Sequence, residues 1–248
     1  MTTLSKQHTL RAFTLMETLL AVALIGMLIS IFLTVFVPAR GMIQQALTKQ
    51  ESERIISILR SELNTVRATE QSKDAKSSGP NQFTSTFDKG FYWLLASKKP
   101  SSSIVIFTYR ADTTRSMRPD GTYPPIPINE SRPGSDTQLV SMACLMDNPI
   151  HKNDIINAVG PVFLVKLTHI EPSNGASFRL AKQPGNIKNG STPEKYFSQP
   201  EEDVPWGGAI FCRADFYIMS PPNPDRYKDR PWSRVGRPVF STNFSFRR

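Results

Sequence analysis

An apolar run from Phe13 to Val37, with Glu17 the only charged residue inside it, constrains this chain more than any other feature. As a helix rising about 1.5 Å per residue it would be about 37 Å long, enough to cross a hydrocarbon core of about 30 Å with some tilt. A carboxylate within such a span costs on the order of 3 kcal/mol even on a lenient insertion scale, so Glu17 calls for a partner. The nearest candidate is a positive amine. Cutting the chain between Ala12 and Phe13 would place the new α-amino group of Phe13 one helical turn from Glu17, and a neighbouring subunit's amine would reach it equally well. The segment ahead, Met1 to Ala12, is short, polar and basic through Lys6 and Arg11, which favours holding that end in the cytoplasm.

Ala12-Phe13-Thr14-Leu15-Met16-Glu17 followed by an apolar helix resembles the class III signal of type IV pilins and type II secretion pseudopilins. The resemblance implies that a prepilin peptidase cleaves before Phe13 and methylates its amine, with Ala12, Phe13, Thr14, Leu15 and Glu17 as the processing residues. It also implies that Glu17 helps dock each subunit into a growing filament. An ordinary secretory signal differs, because there the apolar region is removed together with the leader. Ala12 stands where the family usually has Gly, and Pro38 comes later than the helix-loosening proline of many pilins. The match covers only the start of the chain. Pro-rich loops and an aromatic strand near the other end also resemble the Verru_Chthon cassette proteins, which are prepilin-like chains. Read without the family, the same segment is a single-span anchor carrying an incidental acid.

Beyond Pro38 the helical period continues through Met42, Ile43, Ala46, Leu47, Ile55, Ile56, Leu59, Leu63 and Val66, with charges between them. Pro38 removes one backbone hydrogen bond without necessarily ending the helix. The expectation is one long helix reaching about Ala68, and Gln71 to Asn81 then reads as a linker. After it the period changes to two. Ile104 to Tyr109, Gln138 to Met146 and Val162 to Ile170 are strand candidates. So are Ile210 to Ile218, with Ile210, Cys212, Ala214, Phe216 and Ile218 on one side, and Phe240 to Arg247. Pro-rich loops fall at Arg118 to Gly134, Gln183 to Pro205 and Pro221 to Pro238.

These readings give an α+β fold: a leader (1–12), a transmembrane half-helix (13–37), an amphipathic half-helix (38–70) and a β-rich head (71–248). The head is an antiparallel sheet packed on the amphipathic half of the helix. By the resemblance the chain is a non-enzymatic minor pilin or pseudopilin in the bacterial inner membrane. It spans once, with its head outside the cytoplasm, and its partners are the prepilin peptidase, other pilin subunits and membrane lipid.

Cys144 and Cys212 each fall in a strand candidate, and an exported head permits a disulfide between them, although isolated strand cysteines are often plain buried residues. The catalytic search is short: His8, His151 and His169 are the only histidines, and no HExxH, CxxC, GxSxG or Gly-rich phosphate loop occurs. No cofactor is expected. Asp147 with Asp154 and Glu201-Glu202-Asp203 lack the alternating oxygen ligands of a calcium loop and read as solvated surface, so no metal is expected either. The net charge of +9 falls by two once Lys6 and Arg11 leave. Arg110, Arg115, Arg118, Arg132, Arg226, Lys228, Arg230, Arg234, Arg237, Arg247 and Arg248 recur through the loops and raise nucleic acid as an alternative partner. Their scatter, without clear aromatic interleaving, favours a basic surface that only keeps the head soluble or near anionic lipid.

Overall fold

The computed structural model describes residues 15–67, 83, 85–173, 177–187 and 209–247. The chain divides into two compact units, Met1–Glu53 and Arg54–Arg248.

The described part of the first unit is helical. It belongs to α1, Leu15–Leu63, whose backbone continues through Pro38. Leu15–Phe32 has a mean hydropathy of 2.3 and is exposed throughout, long and apolar enough to cross a bilayer. Its hydroxyls are satisfied locally: Thr18 donates to the Leu15 carbonyl, Ser30 to Gly26 and Thr34 to Ser30, at 2.7–2.9 Å. A polar side chain bonded to its own helix leaves no open donor toward lipid. Met42, Ile43, Ala46 and Leu47 have side chains outside the described set.

The second unit opens with the last turns of α1. Ile55, Leu59 and Leu63 recur at every fourth position and are buried, so one helical face enters the core. The helix stops at Leu63, short of the expected Ala68, and Val66 is exposed. A side chain from elsewhere covers this end: Lys89 Nζ donates to the carbonyl of Glu62 in the last turn (2.8 Å) and to that of Thr65 just beyond it (2.6 Å). That lysine sits on α2, Thr86–Ala96, a helix inside a region that the period-two reading assigned to β structure. Its start signal is local: Ser85 caps the helix by accepting from the Asp88 N–H at 3.1 Å. Phe87, Phe91 and Leu94 then form its buried stripe.

Among the described residues six antiparallel strands follow: β1 Ile104–Asp112, β2 Thr137–Leu145, β3 Phe163–Ser173, β4 Ser177–Leu180, β5 Ala209–Ile218 and β6 Phe240–Arg247. The order is β2-β1-β3-β5-β6, with β4 pairing to β3. The five expected strands occur; β4 and the short helix α3, Lys152–Ile156, were not anticipated. Both sheet faces are covered. Ile104, Ile106, Val165, Leu167, Cys212 and Phe216 pack with α2 and the end of α1. Val105, Phe107, Tyr109, Cys144, Leu164 and Tyr217 point the other way, into a cluster closed by Ile155, Met219 and Tyr227. Burial on both sides explains why β1 opens on four consecutive apolar residues, Ile104 to Phe107, rather than alternating from its start. Ile218, expected to point inward, lies 51% exposed where β5 has passed the end of its pairing with β6.

Cys144 and Cys212 do not form a disulfide. They belong to opposite faces of the sheet, on strands three steps apart in the order. At about 4.8 Å per step the separation is about 14 Å, twice what a disulfide spans. Burial pushes the Cys212 thiol strongly up, which keeps it protonated.

Candidate functional site

Three connections meet beside the second cluster: 113–136 between β1 and β2, 146–162 between β2 and β3, and 219–239 between β5 and β6. Backbone bonds dock them onto strand ends. Ile126 N–H donates to the Arg110 carbonyl at 2.8 Å, Val159 N–H to Thr108 at 2.7 Å and Met219 N–H to Val162 at 2.8 Å.

A buried ionic network joins the first two. Arg118 grips Asp154 with both guanidinium nitrogens, at 2.6 and 2.9 Å. His151 Nδ1 stands 2.8 Å from the same carboxylate, and its Nε2 lies 3.0 Å from Asp120 Oδ2. The ring donates to Asp154 or to Asp120 according to which nitrogen carries the proton, and to both only when each nitrogen does. Asp120 turns its other oxygen inward, accepting from the Thr122 N–H (3.0 Å) and hydroxyl (2.7 Å). Burial opposes ionisation of Asp154, but bonds from His151 and Arg118 outweigh it and hold the carboxyl below the usual carboxylate range. Burial, reinforced by the Asp154 charge, pushes the Tyr109 phenol up to about 12, and its hydroxyl donates to the Tyr123 carbonyl at 3.0 Å. The Asp–His–Asp arrangement could relay protons, yet Asp154, His151 and Asp120 are each under 10% exposed. Buried between the two connections, the network acts as a clamp on the loops.

A second clamp centres on Asp112. Hydrogen bonds from Thr114 hold its carboxyl below the usual range, helped by Arg132 at 2.7 Å and Arg115 at 3.1 Å. Arg110 donates to the carbonyls of Ile128 (3.3 Å) and Glu130 (3.0 Å). The arginines at 110, 115, 118 and 132, read from sequence as loop surface, are thus bonded within the head.

The connection 219–239 differs. Tyr227 and Pro224 are buried, and the Trp232 indole donates to the Ser97 carbonyl at 2.9 Å while its ring meets Tyr217 at 5.4 Å. Arg226, Lys228, Arg230, Arg234 and Arg237 are all exposed. Among the described residues none of the five forms an ion pair; Arg230 lies over the Tyr227 ring at 5.4 Å. Asp225, the acid next to them, is held by Lys152 of α3 at 2.9 Å.

No family model, curated protein or solved structure matches this chain. Its reading therefore rests on its own residues.

Of the residues expected to carry processing and assembly, Ala12, Phe13 and Thr14 lie outside the described residues. Leu15 begins α1, and Glu17 is exposed in its first turn, where a carboxylate complements the helix dipole. Asp147 is exposed and Asp154 is committed to the clamp, so they do not converge, while Glu201, Glu202 and Asp203 fall outside the described residues. Among the described residues no group of three or more His, Cys, Asp or Glu side chains is placed to hold a metal ion. A cavity of about 300 Å³ between Leu63, Phe87 and Phe246 is lined also by Asn64, Thr86, Ser245 and Arg247, with no carboxylate, imidazole or thiol side chain among them.

Proposed function

We propose that this chain is a membrane-anchored, pilin-like structural subunit, processed by a prepilin peptidase before Phe13 and assembled with other pilin-like subunits through Glu17. The observation that carries the reading is helix α1. One element supplies a fully exposed apolar stretch, Leu15–Phe32, with a single acid in its first turn, and ends by giving Ile55, Leu59 and Leu63 to the core of an α+β head. A simple anchor needs only the apolar stretch; an acid retained at its start is costly unless a partner neutralises it.

The test is the state of the N-terminus. Protein extracted from membranes of cells containing a prepilin peptidase is expected to begin at a methylated Phe13, by intact mass and terminal sequencing, and to retain Met1 when the peptidase is deleted. Retention of Met1 in both strains overturns the reading and leaves a single-span anchor.

A further inference from the structure

We propose that the β5–β6 connection, residues 219–239, is a preformed platform for the phosphate backbone of nucleic acid, bound through Arg226, Lys228, Arg230, Arg234 and Arg237. In sequence these cations are part of a general scatter. In the fold they separate from it, because the arginines of the β1–β2 connection are bonded internally and these five are not.

Charge in the stretch is one-sided. The only acids among residues 221–238 are Asp225, neutralised by Lys152, and Asp229. Lys98 and Lys99, both exposed, directly follow Ser97, whose carbonyl accepts the Trp232 indole, and so they extend the basic face. Four of the five cations are guanidiniums, whose planar, weakly hydrated forks match phosphate oxygens better than ammonium groups do.

The surface is also ordered in advance. Pro221, Pro222, Pro224, Pro231 and Pro238 fix backbone torsions, the Ser220 N–H donates to the Tyr227 hydroxyl at 3.2 Å, and Trp232 is pinned by Ser97 and Tyr217. Little backbone entropy remains to be lost when a ligand docks. The aromatic side chains between the arginines point into the head: Tyr227 is buried and Trp232 half-buried. Aromatics turned inward leave no ring to wedge into a bilayer and none to stack on bases, so the face suits backbone phosphates rather than lipid or base-specific contacts.

The experiment uses the full chain in nanodiscs of neutral phosphatidylcholine and a fluorescent 20-base-pair DNA duplex, read by anisotropy across salt concentration. Binding through about five phosphates gives a log–log slope of about −4.5, so affinity falls about 500-fold between 50 and 200 mM salt. Changing all five residues to Ser removes binding while the thermal transition stays in place, because their side chains are at the surface. Changing the four arginines to Lys keeps the slope and weakens binding only modestly. Changing Arg179 and Lys182, in and just after β4, to Ser leaves binding unaltered. Undetectable binding at 50 mM salt overturns the proposal, as does binding that survives the five-fold Ser variant. A further overturning result is five-residue-dependent capture by anionic vesicles with no capture by DNA, which would assign the face to a membrane.

Discussion

Lys89 reaches across from α2 to Glu62 in the last turn of α1, its Nζ 2.8 Å from the Glu62 carbonyl oxygen and 3.3 Å from its carboxylate. The ammonium is fully buried, lies over the Trp93 ring at 4.8 Å, and shares the carboxylate with Arg67, which holds both oxygens at 2.8 and 2.9 Å. One lysine thus ends a helix and fixes a second helix against it. Lys89→Met is expected to remove the side-chain donor to the Glu62 and Thr65 carbonyls and leave the Glu62 carboxylate with Arg67 alone. The cost is about 3 kcal/mol, in the range for breaking a buried pair. Calorimetry should find a melting temperature about 10 °C lower. An unchanged transition would mean that the methionine packs as well as the bonded amine.

Acid should weaken the head in a defined direction. Burial opposes ionisation of Asp154, Glu62 and Asp215, but hydrogen bonds outweigh it, from His151 and Arg118, from Arg67, and from Ser241 and Lys166 respectively, so all three sit below the usual carboxylate range. A carboxylate with a lower folded than unfolded pKa contributes stability that is fully present above about pH 4 and is lost as pH falls through the folded value. Denaturant midpoints should therefore decline below about pH 4, beneath a loss that begins below about pH 6.5 because burial lowers the His169 imidazole pKa and resists its protonation. The Asp154→Asn protein, already destabilised by an unpaired Arg118, should show a shallower decline, and an equally steep one would remove Asp154 from the account.

Gly185 has φ +67°, and a Cβ built on it would stand 2.6 Å from the Lys98 nitrogen and 2.7 Å from the Leu95 carbonyl. Gly160 has φ +84° with nothing within 4 Å. Substituting Ala at either site incurs about 1 kcal/mol of left-handed backbone strain. At Gly185 it also forces main chain apart where α2 ends, so Gly185→Ala should lower the melting temperature well beyond Gly160→Ala. Equal shifts would show that this contact relaxes freely.

Glu17→Val removes the acid from the apolar stretch. Insertion and cleavage should survive or improve, while association with other pilin-like subunits should fall more than a hundredfold, as for losing a partner of a buried charge pair at about 3–5 kcal/mol. Crosslinking normalised to membrane abundance measures it. Undiminished association would make Glu17 incidental.

Buried in the sheet, Cys212 should resist alkylation in the native protein and react on unfolding, and reducing agent should not move the melting temperature, since no disulfide joins it to Cys144. Mass spectrometry after brief iodoacetamide treatment reads the first.

What the sequence determined by itself is what short-range periodicity encodes. Leu15–Phe32 is legible because every residue in it is apolar or small, apart from Glu17 and one Thr and one Ser that bond their own helix. Ile210 to Phe216 and Phe240 to Phe246 alternate visibly because side chains in a strand have period two. Helix α2 carried its own signal, Ser85 capping and Phe87, Phe91 and Leu94 at helical spacing, but was masked by neighbouring strand patterns. The tertiary structure alone decided the rest. Whether Cys144 meets Cys212 depends on strand order and facing, and the end of α1 depends on a lysine that lies 27 residues from Glu62 along the chain. Which arginines remain open to a partner depends on where Asp112 and Asp154 fall in space. Charge is written residue by residue in a sequence, whereas neutralisation belongs to pairs, and pairs are made only when the chain folds.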